Sequence, residues 1–338
     1  MWLGAIVISR AKLETCLSEA ARRYGGDRCG MRLLGGFSNN VYGLERNGET
    51  IVLKFTPASA SNEELLTSER EWVDYLAANG VNVTRAVTSS RGEWLERIAA
   101  DGEGDYFVVA YEQAAGNIVA VTDREQFNDR LFRKWGAVMG KMHALAKVYQ
   151  PVRAVQHRQW DEEDMFRHFP DHVSRAVKER WRDYTQTLCE LPKDRECYGI
   201  VHHDLHPGNF FIHKGDLVLF DFGDSLYHWF AYDIAISLYH AVQTVPRSEP
   251  GRRQAFAKRF FVAFFEGYAR ENTIGREWIE KLPFFLSYRQ LYSYVYFETF
   301  LNVNELSENE RGAIRRMRES VEQGVPFIDG IDVITALT

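Results

Sequence analysis

Strand-like and helix-like runs occupy different parts of this chain, and the division limits the folds open to it. Between residues 31 and 111, apolar residues alternate over short stretches separated by turn residues such as Asn47-Gly48, a hairpin signal. Beyond Gly116, apolar residues recur at helical spacing, starting with the amphipathic stretch Gln126–Ala146. The pattern predicts an α+β protein with a strand-rich, mainly antiparallel part in residues 1–112 and a mainly helical part in residues 113–338.

The individual elements follow from these periods and from the turn residues between them. The predicted strands are Met31–Leu34, Asn40–Arg46, Thr50–Phe55, Val81–Val87, Trp94–Ile98, Tyr106–Tyr111, Gly199–Val201 and Leu217–Phe222. The predicted helices are Ala11–Tyr24, Glu63–Asn79, Gln126–Ala146, 232–243, 251–271, 276–301 and 307–323. A segment rich in Gly, Pro, His and Asp, spanning 200–225, interrupts the helical part.

Composition and charge narrow the classes of function. Hydrophobic residues make up 45% of the chain and charged residues 26%, which argues against a disordered chain or a coiled coil. The 41 Lys and Arg against 47 Asp and Glu give a net charge of -6, so nucleic acid is not an expected partner. The four cysteines show no C-x-x-C spacing, which indicates free thiols and a cytoplasmic location. No stretch approaches the ~18 apolar residues of a membrane span, so no membrane is expected; the oligomeric state stays open.

The interrupting segment has polar ends and an apolar middle. It begins with HHDLHPGN from His202 and ends with DFGD at Asp224. Between these ends lie two apolar runs, Phe210–Ile212 and Leu217–Phe220, which are expected to pair as a hairpin. Pairing would bring the polar ends together at one end of the hairpin.

Three side chains of this segment suit phosphoryl transfer. Two carboxylates and an amide oxygen form the set that Mg²⁺ prefers when phosphates and waters complete its shell. In that chemistry an Asp accepts the proton of the substrate hydroxyl, while an Asn five residues later and the Asp of D-F-G bind metal. The alternative is that all three are ordinary turn residues, and their joint spacing favours the catalytic interpretation. We therefore predict Asp204 as the catalytic base and Asn209 and Asp221 as metal ligands.

A lysine inside an apolar strand is a second signal. Lys54 lies in the run IVLKF, and a half-buried lysine is unfavourable unless it is paired. In phosphoryl transfer such a lysine holds the α- and β-phosphates of ATP and is itself held by a helix Glu. Glu69 is the expected partner because it shares an apolar helix face with Trp72, and Glu71 is the second choice. The alternative is an edge-strand lysine whose amine reaches water.

Together these motifs resemble the aminoglycoside phosphotransferase family, which includes small-molecule kinases related to choline, homoserine and methylthioribose kinases. The string His202–Asn209 is close to the family's H-G-D-L-H-P-G-N, and D-F-G follows at Asp221. Trp135–Ala144 resembles the family's helix that ends in Met/Leu-His, whereas His203 stands where the family commonly has Gly. The resemblance implies a two-lobed protein-kinase-like fold, ATP and Mg²⁺ as cofactors, and a small-molecule hydroxyl as the phosphate acceptor.

The resemblance also implies nucleotide-binding positions. Leu34–Tyr42 resembles the nucleotide loop, in which glycine lets backbone N–H groups approach phosphate; taken alone, it would be a hairpin turn. His202 is implied to brace the loop that carries Asp204. The positions implied for ATP are Gly36, Ser38 and Asn39 at the phosphates, Lys54 with Glu69, and Glu112 and Ala114 at the adenine.

The acceptor is expected to be cationic, aminoglycoside-like or an amino alcohol, with a neutral sugar or macrolide as the second choice. The helical part must form the far wall of the cleft, and aromatic rings and carboxylates there would bind an ammonium group. The candidate wall residues are Asp224, Asp233, Glu298 and the stretch Tyr288–Phe300, which includes Tyr292 and Tyr296.

Three alternatives remain beside this interpretation. One is a catalytically silent nucleotide-binding or interaction protein. Another is a protein kinase, although no A-P-E motif follows Asp224. The third concerns the histidines alone, as a zinc site formed by His202, His203, His206 and His213.

Overall fold

The computed structural model describes residues 10–36, 40–100, 104–151, 157–302 and 306–328, with side chains from residue 16 onward. Its strands are β1 Met31–Gly35, β2 Val41–Arg46, β3 Glu49–Pro57, β4 Ala86–Val87, β5 Leu95–Ala100, β6 Gly104–Glu112, β7 Asn117–Ile118, β8 Tyr198–Val201, β9 Phe210–His213, β10 Asp216–Leu219 and β11 Leu226–Trp229. Its helices are α1 Arg10–Arg23, α2 Glu63–Ala78, α3 Asp129–Val148, α4 Asp164–Arg167, α5 Arg175–Glu190, α6 Phe230–Gln243, α7 Pro250–Tyr268, α8 Arg276–Glu280, α9 Leu282–Phe300 and α10 Glu308–Gln323.

The first part of the chain forms an antiparallel sheet in the order β1-β2-β3-β6-β4, with β5 also paired to β6. The turn between β2 and β3 is the predicted one, since Asn47 and Gly48 both have positive φ, at 52° and 83°. Helix α1 covers this sheet, and the Tyr24 hydroxyl donates to the Val108 carbonyl at 2.8 Å. The sheet places β3, which carries Lys54, in its centre.

Helix α2 connects the sheet to the helical part. Its N-terminus is capped by Asn62, and its buried face includes Trp72, whose ring lies 5.0 Å from that of Tyr149 just after α3. The predicted strand Val81–Val87 is wrong except at its last two residues, β4. The residues before β4 instead pair with the end of β10, where the Thr84 N–H donates to the Leu219 carbonyl at 3.0 Å.

The second part of the chain is mainly helical around one large apolar core. Sequence analysis missed β11, which pairs antiparallel with β8. The predicted helix 276–301 divides into α8 and α9. Pro283 is the second residue of α9, where the N–H that proline lacks would have no partner within the helix. None of the helices in the described part of the chain combines the length and apolar character that crossing a bilayer requires.

Helices α3 and α7 cross so closely that glycine is required between them. A Cβ atom at Gly136 would overlap the carbonyl oxygen of Phe264, and one at Gly267 would overlap that of Arg133. This crossing supports α3, which lies against β8. The catalytic loop, defined as His202–Asn209 with the predicted base Asp204, follows β8 directly.

Gly136→Ala is therefore expected to lower the free energy of unfolding by about 1–3 kcal/mol or more, since the added methyl forces the two helices apart. Urea denaturation monitored by circular dichroism measures the change. Gly251→Ala, near the start of α7, is the matched control, because nothing lies within 4 Å of its added methyl; it should be neutral or stabilising by up to ~1 kcal/mol. Equal effects of the two substitutions would contradict the close crossing.

Candidate active site

The β9–β10 hairpin brings the three predicted catalytic side chains together. The two strands pair antiparallel, and the Phe220 N–H donates to the Asn209 carbonyl at 3.1 Å. Asn209 before β9 and Asp221 after β10 therefore lie at the same end of the hairpin. The Asn209 side-chain amide donates to the Asp204 carbonyl at 2.8 Å, which joins the third residue to the other two.

Asp204 is oriented by groups from its own loop and from two helices, α6 and α9. Its Oδ2 lies 3.2 Å from His206 Nε2 and accepts a hydrogen bond from Asn209 Nδ2 at 3.2 Å. Its Oδ1 accepts from Arg289 Nη2 on α9 at 3.2 Å and lies 3.5 Å from His240 Nε2 on α6. The side chain remains 25% exposed, so it is fixed in direction yet accessible.

These neighbours keep Asp204 ionised. Burial alone would raise the pKa of Asp204, but the charge and hydrogen bond of His206 and the hydrogen bond of His240 hold it well below its usual value. Burial lowers the pKa of His240 to about 4, so His240 is neutral rather than a cation. Its Nε2 also lies 3.2 Å from Arg289 Nη2, which can only donate a hydrogen bond to it. In His206 the negative charge of Asp204 outweighs burial and raises the pKa. An ionised, oriented carboxylate can accept a hydrogen bond from a hydroxyl.

Asp233 holds the catalytic loop in place by accepting hydrogen bonds from its backbone. It is fully buried at the start of α6, and its carboxylate accepts hydrogen bonds from the N–H of His203 at 2.9 Å and of His202 at 3.3 Å. His143 Nε2 lies 3.1 Å from the same carboxylate, and its ring stacks on Phe230. Asp233 was predicted to line the acceptor cleft, and this prediction is wrong because the side chain has no exposed surface.

His202 connects the catalytic loop to the D-F-G segment. Its Nδ1 accepts from the Asp204 N–H at 3.4 Å, and its Nε2 donates to the Phe220 carbonyl at 3.3 Å. Its ring centroid lies 4.6 Å from that of Phe222. These contacts hold the two polar ends of the segment against each other, as the bracing role implied by the resemblance requires.

Lys54 reaches from the sheet to the D-F-G segment. It pairs with Val41 on β2 and Val109 on β6, so it is not an edge-strand lysine. Its Nζ donates to Asp221 Oδ1 at 2.6 Å. The charge of Lys54 lowers the pKa of Asp221, and the charge of Asp221 outweighs burial and raises the pKa of Lys54. This ion pair links the strand-rich and helical parts of the chain at the site.

Glu69 lies close enough to Lys54 for their charges to interact, but its hydrogen bond is made elsewhere. Its Oε1 accepts from the Tyr111 hydroxyl at 3.0 Å. Burial raises the pKa of Glu69, and the charge of Lys54 opposes that rise. Among the described residues, Lys54 is ion-paired with Asp221 and not with Glu69. Tyr111 was not singled out by sequence analysis.

The nucleotide loop connects β1 to β2, and Ser38 and Asn39 lie outside the described residues. Gly36 has a φ of 87°, in the left-handed region that favours glycine, and a Cβ there would lie 2.5 Å from Asn40 Oδ1. Asn40 Nδ2 donates to the Phe55 carbonyl at 2.7 Å. Asn40, which sequence analysis did not single out, thus ties the end of the loop to the strand that carries the lysine.

Glu112 and Ala114 lie where the chain leaves the sheet. The Glu112 N–H donates to the Arg85 carbonyl at 2.9 Å, and its carboxylate is paired with the Arg85 guanidinium at 3.2 Å. The N–H and the carboxylate of Glu112 therefore already have partners within the protein. Ala114 follows β6 and is partly exposed, and across the described ranges its N–H donates to no backbone carbonyl.

The end of the hairpin fits a divalent cation bound together with phosphate. Asn209 uses its amide nitrogen on Asp204, which leaves its Oδ1 for a cation, and the ion pair of Asp221 uses Oδ1. Burial and the negative charges of Asp204 and Asp221 raise the pKa of Asp224, so this end of the hairpin is a region of negative potential. Within the described ranges no three His, Cys, Asp or Glu side chains are grouped around a common metal position, so the four-histidine zinc site is not formed. A cation here would need substrate oxygens to complete its shell.

The aromatic wall of the cleft differs from the prediction in its charged residues. Tyr292 on α9 donates to Glu163 Oε2 at 2.5 Å, and the Arg289 guanidinium lies 5.3 Å from the Tyr292 ring centroid, where it already occupies a cation–π position. Glu298 is largely buried and is hydrogen-bonded to His172 at 2.7 Å. Glu163, the residue before α4, was missed because it lies in an ordinary acidic run.

Comparison with known sequences identifies the class of protein. A model of the phosphotransferase enzyme family matches residues 30–275. Amicoumacin kinase of Bacillus subtilis (strain 168) is 31% identical over 319 residues, which cover 93% of this chain and 93% of that protein. The chain therefore belongs to the phosphotransferase enzyme family, and it is a small-molecule kinase.

Solved structures agree with this assignment. The amicoumacin kinase hAmiN, in complex with AMP-PNP, Ca²⁺ and Ami, is 30% identical with a TM-score of 0.84, over 94% of this chain and 95% of that chain. A microcompartment-associated aminopropanol kinase is 17% identical with a TM-score of 0.73, over 91% of this chain and 95% of that chain, and shows the fold alone. The predicted two-lobed kinase-like α+β fold is confirmed, and ATP and a divalent metal are the cofactors of this class.

Proposed function

We propose that this kinase transfers the γ-phosphate of ATP to a hydroxyl group of an amine-bearing small molecule, with amicoumacin as the first acceptor to test. The observation that carries the proposal is the convergence of Asp204, Asn209 and Asp221 at one end of the hairpin, facing Lys54. Two relatives at 30% and 31% identity are amicoumacin kinases, which supports this choice. The carboxylates of the cleft support a cationic acceptor.

In this proposal Asp204 orients the acceptor hydroxyl. Its carboxylate accepts the hydroxyl hydrogen bond and receives the proton as the oxygen attacks the γ-phosphorus. Arg289 and His240 hold Oδ1, while Asn209 holds Oδ2, so the carboxylate does not rotate away from the hydroxyl. The contribution of Asp204 is thus mainly positioning.

We assign Mg²⁺ to Asn209 and Asp221. When bound, the ion would neutralise charge that develops on the phosphates. Burial and the negative charges of Asp204 and Asp221 raise the pKa of Asp224, and the same negative charges attract a cation to this end of the hairpin. The oxygen-only donor set favours Mg²⁺ over zinc.

The proposal places ATP between parts 1–112 and 113–338, a division supported by β6 ending at Glu112 and by β7 pairing with β9. Lys54, supported by Glu69, would hold the phosphates under the nucleotide loop. The remaining positions proposed for ATP are Gly36, Ser38 and Asn39 at the phosphates and the backbone of Glu112 and Ala114 at the adenine. Use of ATP and free thiols agrees with a cytoplasmic location.

A coupled assay of ADP release tests the proposed function. The panel contains amicoumacin, aminoglycosides, macrolides, choline, homoserine, methylthioribose and amino sugars, each with Mg²⁺ and ATP. We expect acceptor-dependent ADP release with amicoumacin or another amine-bearing compound. ADP release that no acceptor stimulates would contradict the proposal, and preference for an uncharged macrolide would contradict its acceptor class.

Lys54 and Glu69 are expected to be energetically coupled in ATP binding. A double-mutant cycle combines Lys54→Met with Glu69→Gln. The effects on ATP affinity should differ from additivity by about 0.5–3 kcal/mol, because the charge of Glu69 helps to position the lysine. Nucleotide titration of the four proteins measures the coupling. The same cycle with Glu71→Gln is the control. Additive effects with Glu69 would indicate that Lys54 contacts phosphate without its help.

A further inference from the structure

A buried carboxylate, Glu163, lies beside the catalytic loop. Glu163 is only 13% exposed, and its Oε2 accepts from the Tyr292 hydroxyl at 2.5 Å. Its Oε1 faces His203 Nε2 at 3.9 Å, which is too long for a hydrogen bond. In the described part of the chain no lysine or arginine forms an ion pair with Glu163. Burial raises the pKa of Glu163 to about 7, although the Tyr292 hydrogen bond and the charges of Arg158 and Arg289 oppose the rise.

His203 turns a polar atom, Nε2, toward Glu163 Oε1. Its side chain is 3% exposed, and Nε2 is buried and has no hydrogen-bond partner among the residues that the structure describes. Its ring packs among aromatic rings that include those of Tyr232 and Tyr292. Burial lowers the pKa of His203 to about 3, so it is neutral and does not balance the charge of Glu163.

The backbone at His203 is also strained. Its φ is 69°, in the left-handed region that favours glycine, so a histidine there is kept at an energetic cost. A buried nitrogen without a partner adds to that cost. Both costs fall on the residue immediately before Asp204, on the side of the catalytic loop that faces α9.

Two acceptors 3.9 Å apart can share one donor group. A nitrogen about 2.9 Å from each would donate one N–H to Glu163 Oε1 and another to His203 Nε2. An ammonium group has the required N–H bonds and also supplies the positive charge that a buried carboxylate needs. An anion would be repelled, and a hydroxyl donates only one hydrogen bond.

Resting on the proposed function, we propose that Glu163 and His203 form the subsite that binds the ammonium group of the acceptor and thereby select amines over uncharged alcohols. Glu163 supplies the charge, and Tyr292 holds its carboxylate in place. His203, in the tautomer protonated at Nδ1, accepts the second N–H. The ammonium group is thus anchored beside Asp204, which receives the hydroxyl.

The test measures binding of two probes of nearly equal shape, 1-amino-2-propanol and 1,2-propanediol, by calorimetry without ATP. The wild-type protein should prefer the amine by about tenfold or more. Glu163→Gln keeps the shape and the Tyr292 contact, and should reduce the preference to about twofold or less. His203→Gly suits the positive φ, so it should fold, and should weaken amine binding about threefold without changing diol binding. Asp161→Asn is the control, because it removes one negative charge, as Glu163→Gln does, from an exposed side chain two residues away. It should leave the preference intact.

The outcomes separate this subsite from the proposed function. Equal or undetectable binding of both probes by the wild-type protein would overturn the subsite, as would an unchanged preference in folded Glu163→Gln. If that variant does not fold, an unchanged preference in His203→Gly would overturn it instead. An amine preference without acceptor-dependent ADP release would leave the subsite standing and contradict the proposed function.

Discussion

Asp204→Asn is expected to lower kcat for phosphoryl transfer by about 100- to 10,000-fold, the range that a positioned acid or base contributes. Asparagine keeps the size of the side chain but cannot take the proton of the acceptor hydroxyl. The side chain remains close to Asn209, Arg289 and His240, so the loss should lie in the chemical step. The affinity for ATP should change by only a few fold, since the nucleotide is held mainly by other residues.

Single-turnover kinetics with saturating ATP and acceptor separates this loss from weaker binding. Asp216→Asn on β10 is the control, because it removes a carboxylate whose partner, Lys134, lies outside the site. The control should keep nearly all activity, since exposed ion pairs contribute little. If Asp204→Asn kept a large share of turnover while folded, another group would have to accept the proton.

The positions of Asn209 and Asp221 follow to a large extent from the local sequence, as does part of the environment of Lys54. Two short apolar strands joined by Lys214-Gly215 can pair only with their outer ends together, so Asn209 and Asp221 must meet. For Lys54 the apolar run indicates a paired, half-buried lysine but leaves an edge strand possible, and only the pairing of β3 with both β2 and β6 excludes it. Where the spacing along the chain is short and the period is clear, the sequence determines which side chains share an end.

The partners of Asp204 could not be found in this way. Arg289 is 85 residues away and His240 36, and each reaches the carboxylate only because α9 and α6 pack against the catalytic loop. Helical periodicity predicts that these helices exist but not how they are rotated against each other. Asp233 shows the same limit, because the fold buries it as an anchor for the loop.

The backbone conformation of His203 and Asp221 could not be predicted from the sequence either. Both residues have positive φ, at 69° and 64°. Asp and His adopt this conformation more often than most other non-glycine residues, but too rarely for the sequence to predict it at a given position. The resemblance marked His203 as a departure from glycine but gave no reason for it. The structure supplies one, because the ring fills a place between Tyr292 and His228 and turns its free nitrogen toward Glu163.

Asp221→Asn is expected to raise the Mg²⁺ concentration needed for half-maximal activity by about tenfold or more, because a neutral amide is a weaker ligand than a carboxylate. The substitution also removes the charge that pairs with Lys54 at 2.6 Å. A Mg²⁺ titration at fixed ATP measures the effect. Asn209→Ala should shift the titration in the same direction, although less, since it removes an uncharged ligand.

Nucleotide binding without a divalent metal separates a metal ligand from a structural residue. In excess chelator, Asp221→Asn should bind ATP as tightly as the wild-type protein or more tightly, because the substitution removes negative charge near the phosphates. Lys54→Met should weaken ATP binding with and without Mg²⁺, since the lysine is proposed to contact phosphate directly. If Asp221→Asn weakened ATP binding equally in both conditions, its role would be to hold Lys54 in place, and the metal would have to be bound by other residues.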